Sequence, residues 1–236
     1  NRLLYFRSND KKTACVHPSG KVINSKTNQK IHFYKSKTSH PLPFYYFENE
    51  PEVYSVYKDE PLEFTKLQYE ISWTLEKGYV ELYDKKSGLH GLADSTGKIL
   101  IDVTEKKLSY LCPGFFRVGD LGNQKPFSIE NGYIGDGEYH VIKRLYNRFT
   151  NSNYITFQKN NTLQLWNTES KPVSEELFSE ITVNDSVIFI VKRFNTFNFL
   201  DTAGQLLSAT WCSSFEDIGE IGFIVDTGSV KGLISR

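Results

Sequence analysis

The chain has 236 residues, with 28 Lys plus Arg against 28 Asp plus Glu, and 39% of it is hydrophobic. That is enough apolar side chain for one sizeable core, and the balanced charge offers no net field to recruit nucleic acid or an anionic membrane. No apolar run approaches the ~18 residues of a membrane-spanning helix. Three cysteines without a CxxC pair exclude a complete disulfide framework.

In chain order, Arg2 to Phe6 and Thr13 to Val16 flank a turn-rich stretch and predict a β-hairpin. Residues 25–68 are the least regular part. Their run His40-Pro-Leu-Pro-Phe-Tyr-Tyr-Phe47 holds two prolines, which argue against a central strand. Phe44, Tyr45, Tyr46 and Phe47 are expected either to pack into an irregular core or to form an edge strand with a partner-facing aromatic patch. They are the candidate partner-binding residues. From Val53 the pattern steadies. Hairpins are predicted at Gly78–Ala93, Phe115–Ile129, Tyr154–Trp166, Val187–Leu200 and Gly222–Ile234, with turns rich in Asn, Asp, Gly and Lys. Tyr79, Glu81 and Tyr83 alternate with Val80 and Leu82, the sign of a sheet with unlike faces. Helical signal is poor, with a turn or two conceivable at Glu60–Leu67 and Ser174–Ile181.

One unit recurs through this series: a short apolar strand, a polar strand-end residue, a glycine turn and a second apolar strand. Its clearest copies are Phe197-Asn-Phe-Leu-Asp201-Thr-Ala-Gly204-Gln-Leu-Leu207 and Leu89-His-Gly-Leu-Ala-Asp94-Ser-Thr-Gly97-Lys-Ile-Leu100. His17 takes the acidic slot ahead of Gly20. Weaker copies place Glu130 before Gly132, Asn167 before Ser170, and Tyr57 ahead of Glu60. With strand-end residues at 17, 57, 94, 130, 167 and 201, the intervals are 40, 37, 36, 37 and 34 residues. This predicts an all-β fold of tandem hairpin repeats of about 37 residues, propeller-like with about six or seven small antiparallel sheets; the alternative is an open β-solenoid. The expected domain is single, 1–236, with the clearest repeats at 78–236. Asp94, Gly97, Gly132, Asp201 and Gly204 are read as structural turn residues: a carboxylate accepts backbone NH groups and a glycine takes a positive φ.

Gly91-Leu-Ala-Asp94-Ser-Thr-Gly97-Lys-Ile-Leu100 and Asp201-Thr-Ala-Gly204-Gln-Leu-Leu207, followed by Phe215-Glu-Asp-Ile218 and Lys231-Gly-Leu-Ile234, resemble the units of the bacterial WG-repeat family. The likeness covers about residues 78 to 236. The namesake Trp is missing before Gly91 and Gly232, where His90 and Lys231 stand, and residues 25–68 barely fit. Asp-x-x-Gly-x-aliphatic turns are also similar to those of quinoprotein-type propeller blades. The resemblance implies a bacterial β-repeat domain attached to other modules, without general catalytic residues.

Catalytic signals are weak. The five histidines show no metal-ligand spacing, and Gly132-Tyr-Ile-Gly-Asp-Gly137 lacks the Gly-Lys-Ser/Thr and the following helix of a phosphate loop. Trp73, Trp166 and Trp211 are better explained as core than as a sugar- or base-stacking platform. The expectation is therefore a non-catalytic protein-interaction or scaffolding domain, without cofactor or metal. Its partner is another protein or another domain of a larger assembly, with no nucleic acid and no membrane insertion. The alternative is a propeller-type carbohydrate-binding or hydrolytic domain with an axial site. Because the sequence starts at Asn1 and contains no Met, a processed or excised segment is expected, and bacterial cytoplasm and cell envelope both stay open.

Overall fold

The computed structural model describes residues 4–25, 29–35, 41–66, 68–148, 150–183 and 188–235. His40 and the expected strand starts at Arg2 and Val187 lie outside them. Strands build the fold, and its one helical element among the described residues is a 3-10 turn at Gly219–Ile221. By Cα proximity the chain falls into two compact units, Asn1–Tyr110 and Leu111–Arg236.

Among the described residues seven small antiparallel sheets follow one another, and within each the strands pair in sequence order. Sheet 1 holds β1 (Leu4–Arg7), β2 (Thr13–Val16) and β3 (Val22–Asn24). Sheet 2 holds β4 (Ile31–Lys35), β5 (Pro41–Phe47), β6 (Glu52–Ser55) and β7 (Pro61–Thr65). Sheet 3 holds β8 (Glu70–Trp73), β9 (Tyr79–Asp84), β10 (Leu89–Asp94) and β11 (Ile99–Glu105). Sheet 4 holds β12 (Leu108–Cys112), β13 (Phe115–Val118), β14 (Lys125–Ser128) and β15 (Gly132–Tyr133), with the unit boundary falling inside β12. Sheet 5 holds β16 (Val141–Asn147), β17 (Ser152–Lys159) and β18 (Thr162–Asn167). Sheet 6 holds β19 (Glu180–Val183), β20 (Phe189–Arg193) and β21 (Thr196–Leu200). Sheet 7 holds β22 (Ser214–Asp217), β23 (Gly222–Asp226) and β24 (Lys231–Ser235). In sheets 5 and 6 the fourth strand shrinks to single bridges, Trp166 with Pro172 and Leu200 with Leu206.

Within each unit the cores form where successive sheets face each other, because a three- or four-stranded meander cannot bury its own apolar face. Leu42, Phe44, Val53 and Phe64 of sheet 2 pack on Ile71, Val80, Leu82 and Ala93 of sheet 3. Cys15 and Ile23 of sheet 1 meet Ile31 and Tyr45 of sheet 2. In the second unit, Tyr154 and Leu165 of sheet 5 pack on Phe189, Val191 and Leu200 of sheet 6. Phe199 of sheet 6 then stacks on Phe223 of sheet 7, with ring centroids 4.2 Å apart. Strand alternation decides the partition: Phe44 points to one neighbouring sheet and Tyr45 to the other.

The structure corrects the expectation for the proline-containing strand. β5 pairs with β4 on one side and β6 on the other, so it is internal rather than an edge. Pro41 opens the strand, and Pro43 lies where the β4 register shifts between Phe33 and Lys35, so its missing N–H falls at an irregularity of the ladder. The Pro43 carbonyl still accepts the Val56 N–H at 2.8 Å. Neither stretch weighed as a helical turn forms one: β7 occupies Pro61–Thr65, and Phe178 bridges Leu163.

Candidate functional site

The recurrent turn follows one hydrogen-bond scheme. Asp94 N–H donates to the Lys98 carbonyl at 3.0 Å, and Gly97 N–H returns to the Asp94 carbonyl at 3.0 Å. The Asp94 Oδ1 accepts the N–H of Thr96 at 2.8 Å and of Lys98 at 3.0 Å. Asp201 repeats this, accepting Ala203 N–H at 2.9 Å and Gln205 N–H at 2.8 Å, with Gly204 closing the turn. Asn167 does so through its amide oxygen, with Ser170 at φ +62° in the glycine's place. At His17 the ring Nδ1 stands in for the carboxylate oxygen and accepts Ser19 N–H at 3.2 Å. Gly97 and Gly204 sit at φ +89° and +86°, and Gly132 at +75°.

Two weak copies are displaced. Where Tyr57 and Glu130 were expected, the acceptors are Ser55 and Ser128, each two residues earlier. Ser55 Oγ accepts Tyr57 N–H at 3.2 Å and donates to the Ser95 carbonyl at 2.7 Å. Ser128 Oγ accepts Asn131 N–H at 3.3 Å. Both serines are buried, where a short hydroxyl fits and a carboxylate would lose its water. In Asp94, Asn167 and Asp201 the acceptor oxygen is committed to the backbone N–H groups two and four residues ahead, as a turn requires. Among the described residues no group of three or more His, Cys, Asp or Glu side chains is placed to hold a metal ion.

The four aromatic residues proposed as a docking patch do not form one. Phe44 and Tyr45 are buried in two different cores, while Tyr46 and Phe47 are half-buried. Phe44 packs edge-on against Phe64 and Tyr45 stacks on Tyr54, while Tyr46 takes a stacked His32 and the Lys66 ammonium 4.8 Å above its ring. Phe44 and Tyr45 are therefore core, one on each face of the strand, and Tyr46 and Phe47 pack on neighbouring rings.

Exposed apolar side chains occur in both units, Leu75 and Leu4 to Phe6 in the first among them, and in the second they recur at hairpin tips. Leu121 between β13 and β14 is 82% exposed, Phe194 between β20 and β21 is 91%, and Val230 between β23 and β24 is 66%. These occupy the same place in the repeated module, the turn joining its second and third strands. Phe194 is the unusual one. It adopts φ +52°, whereas the other described non-glycine residues with positive φ are Lys11, Ser170 and four asparagines. A bulky ring disfavours that backbone region, and here it sits in water. Around it, Arg193 bonds Glu176 at 2.8 Å and lies 4.9 Å above the Trp211 ring, and its Nε reaches the carbonyl of exposed Leu177. The only sequence signal was a Phe-Asn pair where a hairpin turn calls for Asn-Gly.

The strand pairing and the shared turn define the chain as an all-β protein of seven small antiparallel sheets. No family model matches it, and no curated protein sequence matches it. Solved structures resemble it at low superposition. Hsv2 of Kluyveromyces lactis is 12% identical over 74% of this chain and 59% of its own, with a TM-score of 0.32. Apo AztD from Citrobacter koseri is 10% identical over 96% of this chain and 83% of its own, with a TM-score of 0.31. The dihydro-heme d1 dehydrogenase NirN in complex with DHE is 11% identical over all of this chain and 64% of its own, at 0.30. At such values nothing about activity passes from those proteins to this one. No helix among the described residues is long and apolar enough to cross a membrane.

Proposed function

We propose that this chain is a non-catalytic protein-binding repeat domain related to the WG-repeat family, and that it docks its partner through the hairpin tips of the second unit. The relation is supported by the turn shared by Asp94 and Asp201. Gly91 supports it too: a Cβ there would come within 2.7 Å of the Ile101 carbonyl, so the strand position of the family's glycine admits no side chain here. The docking rests on Phe194, a large ring held in water on a disfavoured backbone. Local backbone strain of this kind persists where a function retains it, and a solvent-exposed ring is the sort of anchor that fills a partner's pocket.

The test is co-purification of the tagged chain from its native source with mass spectrometry, run beside Phe194→Asn. Asn suits the left-handed turn, so this variant should fold at least as well as the parent. A partner retained by the parent and lost by Phe194→Asn is the expected result. Equal retention by both would remove the tip from the reading, and recovery of the chain alone would remove the partner.

A further inference from the structure

We infer that the first unit carries a binding site for a neutral saccharide, in a cleft of about 620 Å³ on one face of sheet 3. The volume is in the range of small-molecule sites, roughly 300–1,000 Å³. Cross-strand register puts its polar lining on one face: Glu70 opposite Tyr83, Ser72 opposite Glu81, and His90 opposite Tyr83. Tyr83 and His90 lie 4.8 Å apart at their ring centroids, and His90 Nδ1 is 2.6 Å from Glu81 Oε1, which fixes both side chains. Across the cleft stands Tyr34 of β4, with Lys66 and Tyr69 from the connection between β7 and β8.

Three features select the ligand. First, Glu70 and Glu81 face Lys66, and Lys85 bonds Glu70 at 2.6 Å, so neither sign of charge dominates. Neither a strongly anionic nor a strongly cationic molecule is favoured there. Second, tyrosine rings on both sides offer apolar faces for the C–H faces of a sugar, while carboxylates, Ser72 and the Lys66 ammonium match its hydroxyls as acceptors and donors. Third, the Tyr34 hydroxyl is buried and has no hydrogen-bond partner among the described residues. A buried hydroxyl without a partner is destabilising, so a ligand that draws the Tyr34 side chain toward the cleft gives that hydroxyl the acceptor it lacks. Burial, and then Tyr46, push this phenol above its ordinary value, so it remains a donor at neutral pH.

This site is independent of the docking tips, which belong to the other unit. Amide chemical shifts of the whole chain are followed on adding cellobiose, maltose or diacetylchitobiose, with glucuronate and choline as charged probes. The expected result is that at least one neutral disaccharide shifts Glu81, Tyr83 and His90 at millimolar concentration and outcompetes both charged probes. Tyr34→Phe then weakens it about tenfold while leaving thermal stability unchanged or raised, since only an unpartnered hydroxyl is removed. Opposite signs in binding and stability separate a ligand contact from a structural role. No shift with any neutral disaccharide, tighter binding of choline or glucuronate, or unchanged affinity in Tyr34→Phe would each overturn the inference.

Discussion

Replacing Gly204 by Ala tests the repeat where the turn after β21 lies against the segment after β18. Gly204 sits at φ +86°, and a Cβ there would overlap the backbone carbonyl oxygen of Val173. An L-residue in that region costs about 1–2 kcal/mol. Val173 cannot simply retreat, because its own N–H is tied to the Leu165 carbonyl at 2.7 Å. Gly204 in turn donates to the Asp201 carbonyl at 3.1 Å. One of the two backbones must shift, which adds about 1–3 kcal/mol by analogy with overpacked cores. The control is Gly132→Ala: it has φ +75° in the same unit, but nothing lies within 4 Å of its Cβ. Gly132→Ala should therefore lose only the backbone part, and Gly204→Ala about 3 kcal/mol in all. Urea unfolding of both variants, with the midpoint read at unchanged slope, makes the comparison. Equal losses would mean that the approach of Val173 to Gly204 is not a real constraint on the turn.

The remaining expectations are smaller in scope. Asp94→Pro removes the acceptor for Thr96 and Lys98 and the N–H given to Lys98, so it should lower the melting temperature more than Asp94→Asn, which keeps both. Phe44→Ala should cost about 3–5 kcal/mol as a core truncation, measured by chemical denaturation; a loss below ~1 kcal/mol would return it to the surface. Burial raises the Cys15 thiol to about 11, so near pH 8 this buried group should resist Ellman's reagent until the chain unfolds. Burial lowers His17 from its ordinary 6.5, so protonation favours the unfolded chain. Stability should therefore fall as pH drops below about 6.5, and His17→Asn should flatten that part of the profile by leaving nothing to titrate there.

The turns were legible because their physics is local. Asp94, Asn167 and Asp201 accept N–H groups two and four residues ahead, a reach that sequence spacing states directly, and the positive-φ residue three on, Gly97, Ser170 or Gly204, completes the pattern. Ser55 and Ser128 were missed because a serine at a strand end is common, and only burial singles these two out as the acceptors. Phe44 to Phe47 were legible as aromatic and strand-forming, but their surroundings were not, since the prolines pointed to an edge and the neighbour β4 alone made the strand internal.

From sequence by itself came the all-β class, the spacing of the module and the role of its polar and glycyl residues, all consequences of contacts within a few residues. Tertiary structure decided which sheet each alternate side chain faces, that Phe194 stands in water, and that Tyr34 meets Glu81, Tyr83 and His90 across a cleft. Those outcomes depend on groups far apart in the chain, and no local hydrogen bond or propensity specifies which distant strand becomes a neighbour.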